Sequence, residues 1–309
     1  MRRRGRRMAF GKILATVRYL DPVALAKLRR FDLTMRRVLA EGHLVGRHRS
    51  AAKGLSHEFA QHRAYVPGDE IKSLDWKVFA RQERFYVRQY QTENILASAV
   101  LLDASGSMGF SAAGRPIKWE LACRLAMAVS YLVLAGGDAV GLTTFDTEPR
   151  DYSPSRASFG QLAVLDSLLD RSRPRGETDL ASALEAAAAR IRRRSLLILI
   201  SDLLGDAGAI IKAIKSLRAR RHEVMVLQVL DPAEKNFSFD GPTLFRGLED
   251  GREIYCDAAA LQDAYREAFG RQQRLYEAGC HAASIPFWSF LNDRSWEDEL
   301  ARFLGRGLS

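Results

Sequence analysis

The sequence predicts an α/β protein with a doubly wound, mostly parallel sheet and a smaller N-terminal region that is helical and β-rich. Two observations lead to this prediction. From about Asn94 onward, short apolar runs alternate with longer segments of helical periodicity, the pattern of strands joined by crossover helices. The runs are apolar at consecutive positions, as in strands buried on both faces. Doubly wound sheets bind ligands at the carboxyl ends of their strands, so a functional site is expected there.

The chain before Asn94 divides into a basic arm, residues 1–20, and a second region, residues 21–93. The arm has few apolar residues near its start, and we expect it to be flexible. In the second region Asp21 can cap a helix that extends to about Leu39. Further elements of this region are predicted at Glu58–Tyr65, Ile71–Ala80 and Phe85–Tyr90.

The main domain, residues 94–309, carries the alternating pattern. Its predicted strands are Leu96–Leu102, Ala139–Phe145, Ser195–Ile200, Val224–Leu230 and Ile285–Phe290. Its predicted helices are Lys118–Leu134, Phe159–Leu169, Leu180–Ile191, Asp206–Ala219, Leu261–Gly279 and Trp296–Leu304. A hairpin is predicted over Thr243–Cys256, because Glu249-Asp250-Gly251 is a typical turn sequence.

The positive charge of the chain is concentrated at one end. The formal net charge is +10, but residues 1–50 hold 14 Lys and Arg against 3 Asp and Glu, a net of +11. The other 259 residues have a net charge of −1. The excess positive charge therefore belongs to residues 1–50, and the rest of the chain is nearly neutral. The high net charge is for this reason weak evidence that the protein binds nucleic acid.

Composition also argues against a membrane or secreted protein. The longest run without Asp, Glu, Lys or Arg is Ala278–Asn292, 15 residues, whereas a transmembrane helix needs about 20. We therefore expect neither a membrane span nor a secretory signal. The cysteines Cys123, Cys256 and Cys280 form no C-x-x-C pair, which favours a reducing compartment over a disulfide framework or a zinc site. We expect a cytoplasmic protein.

Carboxylates and hydroxyls follow two of the predicted strands. Asp103, Ser105 and Ser107 come directly after the first strand as D-x-S-x-S, and Asp202 follows the most apolar strand. Thr178 precedes a helix between them. Oxygen ligands without His or Cys suit a hard divalent cation, Mg²⁺ or Mn²⁺, rather than zinc. The sequence thus predicts an open magnesium-type site, because Mg²⁺ keeps several exchangeable waters.

These residues resemble the metal-ion-dependent adhesion site of von Willebrand factor A domains. The segment upstream is similar to the signature of domain-of-unknown-function family 58 (DUF58), a bacterial and archaeal family with a von Willebrand A-like core. The similar residues are Gly46-Arg47-His48-Arg49-Ser50, Glu58-Phe59, Arg63-Ala64-Tyr65, Pro67-Gly68-Asp69, Asp75-Trp76-Lys77, Ala80-Arg81 and Glu93. The resemblance covers the chain from about Asp21 to Gly305.

The resemblance implies a function in metal-dependent protein–protein interaction. Asp103, Ser105 and Ser107 would bind the cation directly, and Thr178 and Asp202 directly or through water. An Asp or Glu of a partner protein would complete the coordination. Members of the family are often encoded beside MoxR-type AAA+ ATPases, so an accessory or adaptor role in protein maturation or remodelling is implied. Some relatives carry a membrane anchor, and we expect none here.

The sequence around Ser105 and Ser107 does not match the enzyme motifs that it most resembles. We therefore predict no catalytic residues and no organic cofactor. A haloacid-dehalogenase-like phosphatase needs a carboxylate where this chain has Ser105, and a nucleophile elbow needs a glycine two residues before Ser107, where Ser105 stands again. Two alternatives stay open. One is a binder of nucleic acid or anionic surfaces that acts through the basic arm, and the other is a metal-dependent hydrolase.

Overall fold

The computed structural model describes residues 17–28, 57–66, 74–82, 84–92, 97–112, 114–191 and 193–306. Its backbone divides into two compact units, one formed by Met1–Val45 with Leu96–Ser309 and the other by Gly46–Ile95. Most of the basic arm lies outside the described residues, as do the helix predicted beyond Leu28 and the signature segments Gly46–Ser50, Pro67–Asp69 and Glu93.

The helices and strands are numbered here in chain order within the described residues. The helices are α1 Pro22–Leu28, α2 Trp76–Gln82, α3 Lys118–Ala135, α4 Gln161–Arg171, α5 Leu180–Ala189, α6 Ala207–Ala219, α7 Pro232–Asn236, α8 Ala258–Ala282 and α9 Trp296–Arg306. The strands are β1 His57–Ala64, β2 Tyr86–Thr92, β3 Ala97–Asp103, β4 Ala139–Phe145, β5 Pro149–Arg156, β6 Ser195–Ser201, β7 Glu223–Leu230, β8 Pro242–Arg246, β9 Glu253–Asp257 and β10 Phe287–Leu291.

The larger unit is built on a sheet with the strand order β10-β7-β6-β3-β4-β5. All neighbouring pairs are parallel except β4–β5, which is antiparallel. The predicted doubly wound, mostly parallel sheet is confirmed. Its central strands are buried along nearly their whole length and are mostly apolar, because helices cover both faces and successive side chains enter two different cores.

The two faces of the sheet hold separate hydrophobic clusters. Val100 and Leu102 of β3 point into a cluster with α1, α3, α4 and α9, whereas Ala99 and Leu101 point into a cluster with α5, α6 and α8. The long helix α3 is almost entirely buried, which explains its apolar sequence. Between the two clusters the sheet is held rigidly, and its strand ends are fixed in position.

In the smaller unit β1 and β2 pair in antiparallel register, and the ring of Phe79 in α2 stacks on Phe85 at 4.4 Å. The strands predicted at Glu58–Tyr65 and Phe85–Tyr90 are thus confirmed to within two residues. Ile71–Ala80 overlaps the helix α2, in agreement with an element at this place.

The edge strand β5 is absent from the sequence-based prediction. Its sequence PRDYSPSR holds two prolines and alternates little, and most of its residues are exposed or half-buried. A proline cannot donate to the ladder, so such a segment is compatible only with an edge, where the pairing with β4 fixes it. The short helix α7 is the other unpredicted element, and its capping box is formed by Asp231 and Glu234.

Residues 17–20, predicted to belong to a flexible arm, are instead packed on the larger unit. Val17, Tyr19 and Leu20 are buried in the cluster that contains α1. The carboxylate of Asp166 in α4 accepts hydrogen bonds from the backbone N–H groups of Arg18, at 3.0 Å, and Tyr19, at 3.1 Å. The apolar side chains and this carboxylate together hold the segment, and α1 likewise belongs to the larger unit.

No helix in the described ranges is long and apolar enough to cross a membrane.

Replacing Asp166 by Ala is expected to lower the free energy of unfolding by about 1–3 kcal/mol, because the buried N–H of Tyr19 and the partly buried N–H of Arg18 lose their acceptor. Urea unfolding followed by circular dichroism measures this. The matched control is Asp170→Ala, which breaks only the exposed pair with Arg18 and should cost less than about 1 kcal/mol. Equal losses for the two variants would contradict the assigned role of Asp166.

Candidate metal centre

The predicted site lies where the order of the strands reverses. The chain runs from β3 outward through β4 and β5 on one side, and from β6 through β7 and β10 on the other. The carboxyl ends of β3 and β6 therefore flank the crevice in which doubly wound sheets bind ligands. Leu102 and Ile200 are register partners, so Asp103 and Ser201 end neighbouring strands side by side.

The carboxylate of Asp103 is fully buried at this crevice. One oxygen accepts a hydrogen bond from the backbone N–H of Ser105 at 2.9 Å, and the other accepts one from the hydroxyl of Ser201 at 2.6 Å. Burial, and next the negative charge of Asp202, raise the pKa of Asp103 to about 7. A cation at the site would favour the ionised form of this carboxyl.

The two serines of the D-x-S-x-S motif face one another. Their hydroxyl oxygens are 3.0 Å apart, and both side chains are buried. A single 3₁₀ turn, Gly106–Gly109, follows Ser105 and brings Ser107 back toward it. The structure thus places Asp103, Ser105 and Ser107 together, as the sequence predicts.

Thr178 lies in a loop that is bonded to the D-x-S-x-S loop. The N–H of Arg175 donates to the carbonyl of Ala104, and the N–H of Gly106 donates to the carbonyl of Gly176, both at 2.9 Å. These backbone bonds hold the Thr178 loop beside the two serines. The hydroxyl of Thr178 donates to the carbonyl of Asp146 at 3.3 Å, and this bond leaves an oxygen lone pair available.

Asp202 is buried next to Asp103, but its carboxylate is held by a lysine. The ammonium of Lys118, the first residue of α3, lies 2.7 Å from Asp202 and 2.5 Å from Glu234. Lys118 is completely buried. Although burial lowers its pKa, the charges of Asp202 and Glu234 outweigh that effect and raise the pKa above the ordinary lysine value.

A second cation extends this buried network. Arg115 donates to Asp231 at 2.7 Å, and Asn292 donates to the same carboxylate at 2.8 Å. In this network of described residues two cations face four carboxylates, which leaves a charge of −2 when all are ionised. The four carboxylates are Asp103, Asp202, Asp231 and Glu234.

The donor set fits a hard divalent cation. The described ranges contain no group of three or more His, Cys, Asp or Glu placed to hold a metal ion. A site here therefore depends on the serine hydroxyls, which with carboxylate oxygens are the ligands that Mg²⁺ and Mn²⁺ accept and zinc disfavours. The excess charge of −2 is also the charge that such an ion balances.

Sequence reasoning missed Ser201, Lys118 and Glu234. Ser201 is the last residue of a strand and stands directly before a predicted ligand, which is a usable signal. Lys118 opens a helix that is almost entirely buried, so its charge needs a partner, and Glu120 of the same helix is paired with Arg124 instead. Nothing in the sequence indicates that Glu234 supplies the second carboxylate.

The doubly wound sheet has an antiparallel edge strand, and hydroxyls follow its central strand, as expected of a von Willebrand A-like protein. The chain belongs to the family described as Protein of unknown function DUF58, whose model matches residues 61–278. An uncharacterized protein of Mycobacterium tuberculosis is 32% identical to it over 293 residues, 92% of this chain and 90% of that protein.

Solved structures with a similar fold are more distant. The conserved hypothetical protein BatB from Bacteroides thetaiotaomicron is 17% identical with a TM-score of 0.45, over 69% of this chain and 98% of that one. The VWA domain of SpRpn10 is 14% identical with a TM-score of 0.41, over 69% of this chain and 95% of that one.

Replacing Lys118 by Met should lower the free energy of unfolding by about 3–5 kcal/mol, because two buried carboxylates lose their shared cation. Chemical unfolding at neutral pH measures the loss. Arg124→Met is the matched control, since it removes a cation from the exposed face of the same helix, where Arg124 pairs with Glu120. It should cost less than about 1 kcal/mol. Similar losses for both variants would show that the buried pairs do not stabilise the fold.

In EDTA, Asp103→Asn should become more stable relative to wild type as the pH rises. The pKa of Asp103 is about 7 in the folded chain and about 3.9 in an unfolded one. The folded state therefore binds the extra proton between these values, and the stability that this gives is lost as the pH rises to 7. Between pH 5.5 and 8 the variant should gain about 2 kcal/mol over wild type.

Urea unfolding at several pH values measures this difference. The control is Asp206→Asn, which makes the same charge change at an exposed helix cap. The difference in free energy of unfolding between Asp206→Asn and wild type should stay constant between pH 5.5 and 8. A constant difference for Asp103→Asn as well would contradict the raised pKa.

Proposed function

We propose that this chain is a non-catalytic protein–protein interaction module that depends on a divalent cation, Mg²⁺ or Mn²⁺. Asp103, Ser105 and Ser107 would hold the cation directly, and Thr178 and Asp202 directly or through water. The cation, when bound, supplies an open position for a carboxylate of the partner protein. The observation that carries the proposal is the buried group of one carboxylate and two facing hydroxyls at the switch point of the sheet.

The charge balance supports a cation at this place. Lys118 is paired with both Asp202 and Glu234, so its single charge offsets only one of them, and Arg115 is paired with Asp231. Asp103 receives only hydrogen bonds from Ser105 and Ser201 among the described residues. A buried carboxylate without a cation is costly, and a bound metal ion would offset that cost.

The surface around the site suits an acidic partner protein. Arg171 at the end of α4 and Arg173 and Arg175 in the following loop are exposed, and the backbone of this loop is bonded to Ala104 and Gly106. These arginines could attract a partner that presents Asp or Glu, although Glu177 and Asp179 of the same loop offset part of their charge. Exposed apolar side chains are also present close in sequence to the site, namely Leu204 and Ile117. They give a protein partner apolar area to cover.

The serines are poorly placed for nucleophilic catalysis. The hydroxyls of Ser105 and Ser107 are bonded to each other, and neither is bonded to a histidine in the described part of the chain. A serine nucleophile needs an adjacent base to remove its proton. We therefore propose binding rather than catalysis by a serine nucleophile at this site.

We further propose a MoxR-type AAA+ ATPase as the partner and the cytoplasm as the location. The family resemblance supports the partner, and the cysteine pattern supports the compartment. The alternative in which the basic N-terminal part binds nucleic acid or an anionic surface depends on residues 1–50, of which the structure describes only 17–28.

The test is co-purification of the chain with the MoxR-type ATPase of the same organism, in Mg²⁺ and in EDTA. Wild type should retain the ATPase in Mg²⁺ and lose it in EDTA, and Asp103→Asn should lose it in both. A loss of about tenfold or more in affinity is expected when a ligand to the cation is removed. Binding to the ATPase is read by pull-down, and Mg²⁺ binding by isothermal titration calorimetry.

Asp206→Asn, on the exposed start of α6, is the matched control and should behave as wild type. Thermal melts of all variants establish that they are folded. Retention of the ATPase that is equal in Mg²⁺ and EDTA would contradict the role of the cation. Binding that survives EDTA but falls steeply with salt would favour the basic arm instead.

A further inference from the structure

The turn of the β8–β9 hairpin lies directly on the loop of the candidate metal centre. A Cβ atom built on Gly106 would lie 2.4 Å from the carbonyl oxygen of Leu248 in this turn. Gly106 stands between Ser105 and Ser107, so the turn touches the backbone of the loop that carries the two hydroxyls. Only glycine permits this approach, because any side chain at position 106 would collide with backbone.

The next residue of the turn, Glu249, directs its carboxylate to the same place. One oxygen, Oε2, accepts a hydrogen bond from the backbone N–H of Thr178 at 3.2 Å. The other oxygen, Oε1, is buried and has no hydrogen-bond partner in the part of the chain that the structure describes. Thr178 is one of the proposed ligands, so this unpartnered oxygen is at the edge of the site.

A buried carboxylate oxygen requires a donor or a cation. The two arginines of the hairpin are engaged elsewhere, since Arg246 lies 3.7 Å from Glu253 and Arg252 lies 3.2 Å from Asp250. A cation bound at the site would supply the positive charge that Glu249 lacks within the hairpin.

The hairpin can leave this position without disturbing the central sheet. β8 and β9 pair only with each other and form a separate two-stranded sheet. Leu244 and Tyr255, opposite one another on its outer face, are 57% and 73% exposed. On the inner face the ring of Phe245 packs on Phe237 at 5.5 Å. The hairpin is thus attached through one small aromatic cluster, through its turn and at its base, where Asp257 caps α8 and the N–H of Ala258 donates to the carbonyl of Gly241 at 2.9 Å.

We propose that Glu249 is an internal carboxylate ligand of the bound cation and occupies the position that the partner's Asp or Glu takes. This inference rests on the proposed function, because it assigns a further ligand to the same cation. The β8–β9 turn is then a built-in competitor of the partner, and the partner must displace it to reach the cation.

The test uses Mn²⁺ as the probe with the full chain. Free Mn²⁺ is counted by electron paramagnetic resonance, and the exchangeable waters on bound Mn²⁺ are measured by water-proton relaxation. Glu249→Gln should weaken Mn²⁺ binding about tenfold. It should also raise the relaxivity of bound Mn²⁺, because a water enters the vacated position. Saturating acetate should then lower the relaxivity of this variant toward that of wild type.

Glu253→Gln is the matched control, since it removes the same charge from the same hairpin at an exposed pair with Arg246. It should match wild type in affinity and relaxivity. If Glu249→Gln does not fold, Glu249→Asp replaces it, because this variant keeps the charge but shortens the reach by one methylene, and the same changes are expected.

The outcomes separate this inference from the proposed function. Wild type that binds Mn²⁺, with Glu249→Gln equal to it in affinity and relaxivity, overturns the internal ligand and leaves the proposed function intact. Wild type that binds no Mn²⁺ overturns the proposed function and the internal ligand with it. Weaker binding with unchanged relaxivity and no response to acetate also overturns the internal ligand, because Glu249 then acts only through the shape of the turn.

Discussion

The buried ammonium of Lys118 fixes the arrangement of the strand ends on which the candidate site depends. It joins the start of α3 to Asp202 after β6 and to Glu234 after β7, and all three groups are largely removed from water. A buried ion requires charged partners, so the helix and the two strand ends can meet in only one way. Asp202 is paired with a cation as a result, whereas Asp103 accepts only hydrogen bonds from Ser105 and Ser201 among the described residues.

The fold could be predicted where a single physical signal dominates. β3, β4 and β6 are buried on both faces, so their continuous apolar runs locate them to within about one residue. β5 has no such signal, because an edge strand with two prolines owes its conformation to the pairing with β4. The prediction that residues 17–20 belong to a flexible arm is wrong for a related reason. Its contacts are with Asp166, nearly 150 residues away, and charge counting along the chain does not detect them.

The candidate site also has a part that could be predicted from the sequence and a part that could not. Asp103, Ser105 and Ser107 are close in sequence and follow one strand, so their proximity could be predicted from the pattern alone. Asp202 could be placed beside them because the ends of parallel strands meet at one edge of the sheet. Its partner Lys118 could not, since a lysine at a helix start is ordinarily solvated. That Asp202 is engaged by a lysine is a property of the three-dimensional packing.

The two sides of the crevice are restrained to different degrees. On the β6 side, Tyr276 of α8 donates to the carbonyl of Leu203 at 2.6 Å, and Gln228 donates to that of Asp202 at 3.1 Å. This floor is held by buried side chains from two elements. On the hairpin side, the turn rests on Gly106 and on one bond between Glu249 and the Thr178 N–H. A ligand that enters the crevice therefore meets a rigid floor, and the side that can yield is the turn. Local opening starts where buried contacts are fewest, so exchange between an internal and an external carboxylate needs no change in the central sheet.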